Sequence, residues 1–472
     1  MNKNAIRLVV FLLWFPALKV QSQGVPYALD SMLSKSLDSM QMAMNIKSLS
    51  AAMQFPDTVV WARATGISST TPLDSVTIDD AYLIGSVTKT MTSACILQLA
   101  DAGLLNLDDS LYQWLDTVPY INPNITIRQL LRHESGIYDV LGNPACQPAL
   151  LADQDSVWDA FDLVTTFIAP PQFNPGAAWA YSNTNYFLLG EIIEAATGNT
   201  FYDELRTRFF APLNMTTIAT PAHETVTSPV AHVWMDLNND GITEDAHNFY
   251  FNYTSLNSAA GAAGGYYATP SDITRWMRTY MRGDLVSASM MAQAQTTVAA
   301  PGLPSTTYGL GLMKKMFVGY QGYGHGGDLA YAASSWYFPA RDLSITVFNN
   351  DAKFNSWTLV PVISVLLKTY NNYLNSLTGT GETNPEPMSL TVSPNPFSNQ
   401  LTVSFAAASE NRSYKLVLST IEGKRICEQL HRSDAAPFQQ IQLSGLSNIS
   451  GGLYFLTLFV DDVPVKTIKV VH

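Results

Sequence analysis

Ser86-Val87-Thr88-Lys89 decides how the rest of this chain is read. A serine hydroxyl is a poor nucleophile at neutral pH and needs a base within hydrogen-bond reach. Positions i and i+3 share one face of a helix, so a helix opening at Ser86 sets Lys89 one turn away, beside the hydroxyl. The residues that follow support that helix. Thr90 to Ala102 contain neither Pro nor Gly, and Gly103 supplies a stop. Val87, Met91, Ala94, Cys95, Ile96, Leu97 and Leu99 make the segment apolar on most sides, which predicts a buried central helix. Amides at its N-terminus are suited to stabilising an oxyanion. The ordinary reading of such a tetrad is a serine N-cap with a surface lysine. No other lysine of the chain has a serine three positions before it.

The chain has 472 residues, enough for two or three domains. Hydrophobic residues make up 47% and charged residues 14%, which is material for a large core. The formal net charge is -12 and no basic run stands out, which argues against nucleic acid or an anionic membrane as partner. Lys3 and Arg7 precede an apolar run, Leu8 to Leu18, too short to span a bilayer, and small residues follow around Ser22. Residues 1–22 therefore read as a signal peptide, and no transmembrane helix is expected in the mature chain. Cys95, Cys146 and Cys427 do not make a disulfide framework.

Residues 27–375 look like one enzyme-sized unit of mixed helix and strand. Strands are expected at Thr58–Ala64 and Ser344–Phe348, and helices at Ile125–Arg132, Tyr186–Ala195 and Asp272–Met281, the last capped by Ser271. Residues 376–387 are rich in Gly, Thr and Pro and form the best linker. Beyond them, Leu401–Phe405, Tyr414–Thr420, Gln439–Leu443 and Leu453–Val460 are β-rich runs broken by glycines, the pattern of a small all-β sandwich.

Two further motifs give the tetrad its context. Tyr181-Ser182-Asn183 lies between the turn signal Phe173-Asn174-Pro175-Gly176 and an apolar helix. A tyrosine there can pass a proton to or from a reacting centre, and an asparagine amide can bind an acyl-side amide. Tyr-x-Asn occurs also at Tyr120, Tyr250, Tyr370 and Tyr373, so placement singles out Tyr181. His325-Gly326-Gly327 is the third element. Its glycines let backbone approach a ligand closely, and Ala333–Phe338 fits an edge strand lining a site.

In this order the motifs resemble the serine β-lactamase and penicillin-binding-protein superfamily, in its class C β-lactamase, DD-peptidase and esterase branch. Leu130 to Ile137, Asn174-Pro175-Gly176, Gly264 to Asp272 and Tyr308 to Leu312 resemble the same branch. The resemblance implies an α+β, β-lactamase/transpeptidase-like fold: an antiparallel sheet flanked by helices plus a helical subdomain, with the site at their junction. It implies Ser86 as acylated nucleophile, Lys89 as its base, Tyr181 as proton-transfer partner and Asn183 as substrate-orienting residue. The amides of Ser86 and Asp328 would form the oxyanion hole, with His325, Gly326 and Gly327 beside the substrate. No cofactor is implied. Class C β-lactamases carry Lys-Thr-Gly where this chain has His325-Gly326-Gly327, and a histidine of near-neutral pKa is a weaker anchor for a substrate carboxylate. The expected activity is that of a secreted serine hydrolase acting on a small peptide or ester. It would be a D-stereospecific peptidase or DD-carboxypeptidase, or an esterase. A class C-like β-lactamase and a catalytically silent binding protein are the alternatives.

His133 reads as a structural residue, and His223, His232 and His247 lack metal-ligand spacing. Asp236, Asn238 and Asp240 copy the first half of a calcium loop, but its twelfth position is His247. An Asx-rich surface turn and a weak calcium site both fit that segment. Residues 388–472, with Ser393-Pro394-Asn395-Pro396-Phe397 and Gly452-Leu453-Tyr454, resemble the type A sorting domain of the type IX secretion system. That implies the type IX machinery as partner and a secreted or cell-surface location. A carbohydrate-binding sandwich is the alternative, but the domain lacks tryptophan.

Overall fold

A computed structural model of the chain describes residues 24–56, 59–247, 254–378, 390–406, 413–420, 425–433, 438–460 and 463–472. The predicted signal peptide and most of the predicted linker lie outside these residues. The chain divides into two compact units, with the break between Asn371 and Asn372.

The first unit is built on a nine-stranded antiparallel sheet. In chain order its strands are β1 (Ser48–Gln54), β2 (Val60–Thr70), β3 (Leu73–Ser75), β4 (Val298–Ala299), β5 (Thr306–Tyr308), β6 (Met313–Phe317), β7 (Tyr320–Leu329), β8 (Tyr331–Phe338) and β9 (Leu343–Asn349). Across the sheet they run β3-β2-β1-β9-β8-β7-β6-β5-β4. Strands from the two ends of the unit pair at its centre, with Ser50 opposite Phe348. Every residue of β1, β8 and β9 is buried, so these strands carry continuous runs in place of alternation. β8 is therefore an interior strand and not the expected edge.

Helices cover the sheet. The first helix, Tyr27–Met44, is joined to the helix Val360–Thr378, which runs across the break, by Ser36 Oγ and Thr369 Oγ1 at 2.9 Å. The helix Pro270–Met281 packs against β1 and β9, with Ser344 Oγ donating to Thr274 O at 2.7 Å. Its cap is Thr269, which accepts from the Asp272 amide, and not Ser271. Proline takes the first helical position, where its missing N–H is no loss.

The central helix spans Thr88–Asp101 and ends before Gly103, whose φ is +69°. Its side chains from Thr88 to Leu97 are all buried. Burial of so many polar groups requires partners. Thr90 Oγ1 accepts from Trp276 Nε1, Thr92 Oγ1 donates to Ala262 O, and Ser93 Oγ donates to Leu310 O. The helix is thereby fixed in rotation as well as position, and that places Lys89.

In the second unit, strands Thr391–Ser393, Gln400–Ala406 and Phe438–Ser444 form one sheet, and Arg425–Arg432, Ser413–Thr420, Leu453–Val460 and Val463–Val471 form the other. Leu401, Val403, Phe405, Tyr414, Leu416, Leu418, Leu456 and Leu458 fill the core. All three cysteines are free, and Cys95 is a buried apolar member of the central helix.

Candidate active site

Gly85–Val87 form a single turn of 3-10 helix immediately before the central helix. Gly85 has φ +50°, and a Cβ there would lie 2.8 Å from the Asp328 amide nitrogen. A Cβ on Gly327 would lie 2.0 Å from the Ile84 carbonyl oxygen and 2.9 Å from the Ser86 amide nitrogen. Glycine on both sides is thus what lets β7 lie against the Ser86 turn.

Ser86 keeps partial access to a cavity of about 380 Å³, lined also by Tyr181, Asn183, His325, Gly326, Asp328 and Trp357. Lys89 lies beneath it and is fully buried. Its Nζ is 3.0 Å from Ser86 Oγ, 2.8 Å from Asn183 Oδ1 and 2.8 Å from the Ala263 carbonyl oxygen. Burial lowers the Lys89 pKa to about 7, partly opposed by the negative charge of Asp139. A neutral amine has two N–H donors and one lone pair. The Ala263 carbonyl and Asn183 Oδ1 can only accept. Neutral Lys89 donates to those two and turns its lone pair to the Ser86 hydroxyl, the arrangement a general base requires.

The orientation of Asn183 is set from its other side. Its Nδ2 donates to Asp139 Oδ2 at 2.8 Å, which leaves Oδ1 for the lysine. Asp139 in turn accepts from the Leu141 amide and caps the short turn Val140–Gly142. Asn183 begins the helix Thr184–Thr197 without capping it by its side chain, so the amide is free for this task. Asp139 was not visible as a site residue in the sequence. It stands two residues past the Leu130–Ile137 segment, and only its Asx-type cap marks it.

Tyr181 has its hydroxyl against Ser86, and its ring is 5.0 Å from Lys89 Nζ. Burial raises its pKa well above the usual phenol value, against the Ser86 hydrogen bond and reinforced by the charges of Asp139 and Asp328. The phenol therefore keeps its proton. His133 organises this loop: its ring lies 4.3 Å from that of Tyr181, and its Nδ1 accepts from the Ser182 amide. The histidine is structural, as expected, but it is surrounded by site residues, with Asn185, Trp179 and Tyr308 as further neighbours.

His325 differs from expectation. It is fully buried, and its pKa is pushed down to about 3 by burial and by the nearby Lys89. Its Nδ1 faces the Gly326 carbonyl at 2.5 Å and its Nε2 faces Tyr308 Oη at 2.9 Å. A carbonyl only accepts, so the proton is on Nδ1 and Nε2 accepts from the tyrosine. The residue does not have the near-neutral pKa of a carboxylate anchor, because desolvation removes its charge. Asp328 stands at the cavity wall, its carboxylate accepting from the Ser356 amide at 2.6 Å and the Ser356 hydroxyl at 2.7 Å.

The loop from Asp236 is exposed and far simpler. Asp236 accepts from the amides of Asp240 and Gly241, Asn238 from that of Asp240, and Asp240 from that of Ile242. No cluster of three or more His, Cys, Asp or Glu side chains suited to a metal occurs among the described residues.

The sequence model named Beta-lactamase matches residues 38–357. The chain belongs to the beta-lactamase family of serine hydrolases. A model described as a secretion system C-terminal sorting domain matches residues 391–471, so the chain is of a secreted or cell-surface type. Penicillin-binding protein 4* of Bacillus subtilis (strain 168) is 30% identical over 162 residues, covering 33% of this chain and 34% of that protein. The D-alanyl-D-alanine-carboxypeptidase/endopeptidase AmpH of Escherichia coli (strain K12) is 28% identical over 229 residues, 47% of this chain and 54% of that protein. The chain thus spans about a third to a half of the length of these two relatives. A D-stereospecific amidohydrolase from Streptomyces sp. superposes with TM-score 0.60 at 29% identity, covering 68% of this chain and 94% of that one. D-amino acid amidase from Ochrobactrum anthropi SV3 shares the fold, with TM-score 0.65 at 23% identity over 74% of this chain and 99% of that one. No helix among the described residues is long and apolar enough to cross a membrane.

Proposed function

We propose that this beta-lactamase-family member hydrolyses amides or esters of D-amino acids through an acyl-enzyme on Ser86. The observation that carries the reading is Lys89, buried, held 3.0 Å from Ser86 Oγ and poised to lose its proton near pH 7. Neutral Lys89 takes the hydroxyl proton as Ser86 Oγ bonds to the acyl carbon. The carbonyl electron pair moves to oxygen, which the amides of Ser86 and Asp328 receive. Collapse of this intermediate expels the amine or alcohol, which takes a proton passed from Lys89 by way of the neutral Tyr181 phenol. Water then attacks the ester carbonyl, giving its proton to the same pair, and that proton passes to Ser86 Oγ as the Oγ–acyl bond breaks and the acid leaves. Asn183 orients the acyl group while it holds Lys89.

The D-amino acid assignment rests on the likeness to the Streptomyces amidohydrolase and on the third motif. A DD-carboxypeptidase or β-lactamase binds a substrate carboxylate, and neutral His325 gives it no cation. The likeness to AmpH favours the carboxypeptidase as second reading. Residues 388–472 would direct export through the type IX machinery.

The test is labelling by a fluorophosphonate, read by intact mass, followed by hydrolysis of D-alaninamide and of a peptide ending in D-Ala-D-Ala. Labelling lost in Ser86→Ala, with turnover of the amide but not the peptide, is the expected result. Release of D-alanine from the peptide would move the assignment to a carboxypeptidase. Absence of labelling would remove the acyl-enzyme altogether.

A further inference from the structure

The cavity wall opposite Lys89 carries one charge that the mechanism does not use. The Asp328 backbone amide lies against the Gly85–Ser86 turn, so its side chain starts close to Ser86. Both carboxylate oxygens are fixed by Ser356, the first residue of the turn Ser356–Leu359. No Lys, Arg or His forms an ion pair with Asp328 among the described residues. Asp139, the other carboxylate near the catalytic groups, differs: it is engaged by Asn183 and lies next to the buried amine of Lys89. His325 and Tyr181, which also face this space, are neutral. The wall therefore presents a carboxylate held by Ser356, without an ion-pair partner among the described residues, in the same cavity as Ser86. The residue is exposed to the cavity, so a carboxylate held there is open to a cation that enters from solvent. Here a bound substrate is what can supply it.

We infer that Asp328 is a specificity residue that receives the α-ammonium of the acyl donor, so that the substrate is an amino acid amide, ester or peptide with a free N-terminus. This rests on the acyl-enzyme reading and narrows it. An ammonium on the carbon next to the acyl carbon has its charge where Asp328 stands, whereas an N-acylated or carboxylate-rich substrate leaves that anion desolvated without a partner. Ser356 holds the carboxylate in place before binding, so little ordering is needed when the substrate arrives.

The experiment compares three 4-nitroanilides on the full chain: that of D-alanine, its N-acetyl derivative and its 2-hydroxy analogue, which keeps the size and removes the charge. The wild type is expected to favour the free amine by tenfold or more in kcat/KM over both others, mainly through KM. In Asp328→Asn that ratio should collapse toward one, whatever happens to the absolute rates. Asparagine can still accept from the Ser356 amide and donate to its hydroxyl, and an unchanged circular dichroism spectrum and melting temperature would report an intact fold. Asp328→Glu, which keeps the charge, should retain most of the preference. Equal turnover of the three anilides by the wild type, or a preference that survives in Asp328→Asn, would overturn the inference. Loss of phosphonate labelling in the wild type would overturn the acyl-enzyme reading instead, so the two failures are distinct.

Discussion

The two walls of the cavity treat an ionisable side chain in the same way and obtain opposite results. On the helix side Lys89 is fully buried, and on the strand side so is His325. Desolvation lowers both, because each is charged only when protonated. Lysine starts from 10.5 and arrives at about 7, where it exchanges a proton readily. Histidine starts from 6.5 and arrives at about 3, where it never carries charge in neutral solution. The surroundings sharpen the difference. Asp139 pulls Lys89 back up, whereas His325 has Lys89 as neighbour and only the Gly326 carbonyl to oppose it. One burial makes a base, the other a neutral spacer bonded to Tyr308.

Removing each group breaks the comparison most directly. Lys89→Met keeps the stem in its apolar bed and removes the base. Phosphonate labelling of Ser86 should slow by on the order of a thousandfold or more, within the range expected for general base loss. His325→Gln removes a residue that carries no charge and should lower kcat/KM by about tenfold or less, mostly in KM. Equal losses in the two variants would mean that His325 takes part in proton transfer.

Next in size is the join between the walls. Gly327→Ala places a Cβ 2.0 Å from the Ile84 carbonyl oxygen, and that atom belongs to backbone that cannot turn aside. β7 must then move away from the nucleophile turn. A displacement of about 1 Å near reacting atoms lowers rates on the order of a hundredfold. Rates in G327A should fall by that order even for small esters, while Lys89 keeps its neighbours. The pH at half-maximal labelling should therefore stay where the wild type has it.

How much of this was legible in the sequence follows from the same two walls. Ser86, Lys89, Tyr181 and Asn183 were readable because helix spacing and turn signals are local, and the structure brings all four together. His325, Gly326 and Gly327 were readable as a glycine-rich segment beside the site, Asp328 only through the family resemblance, and the strand that carries them, β7, was not read. The charge state of His325 was not readable, because it depends on burial under other elements and then on the nearby Lys89. Ala263 holds the base through a backbone carbonyl, which no side-chain pattern announces. β8 reads as an edge, but it pairs with β7 on one side and β9 on the other, and β9 in turn pairs with β1 from the far end of the unit, which sets all three in the middle of the sheet. Thr269 took the cap from Ser271 because Pro270 fits the first helical position.

The smallest effect tests why the helix wall stops near neutrality. Activity that needs neutral Lys89 should fall about tenfold per pH unit below its pKa of about 7 and level off above it. Asp139 favours the protonated amine through its charge and orients Asn183 through a hydrogen bond. Asp139→Asn removes the charge; its single oxygen can accept from Asn183 only by giving up the Leu141 amide, so the local cap is lost while Asn183 stays oriented. The proton affinity of Lys89 then falls, and the acid limb of the labelling-rate profile moves to lower pH while the plateau changes little. Asp139→Ala removes the acceptor as well. Asn183 is then free to turn its amide, its Nδ2 no longer fixed away from the lysine, so the plateau should drop too. A limb that stays in place in both variants would mean that the charge of Asp139 does not reach Lys89, and that burial alone sets the base.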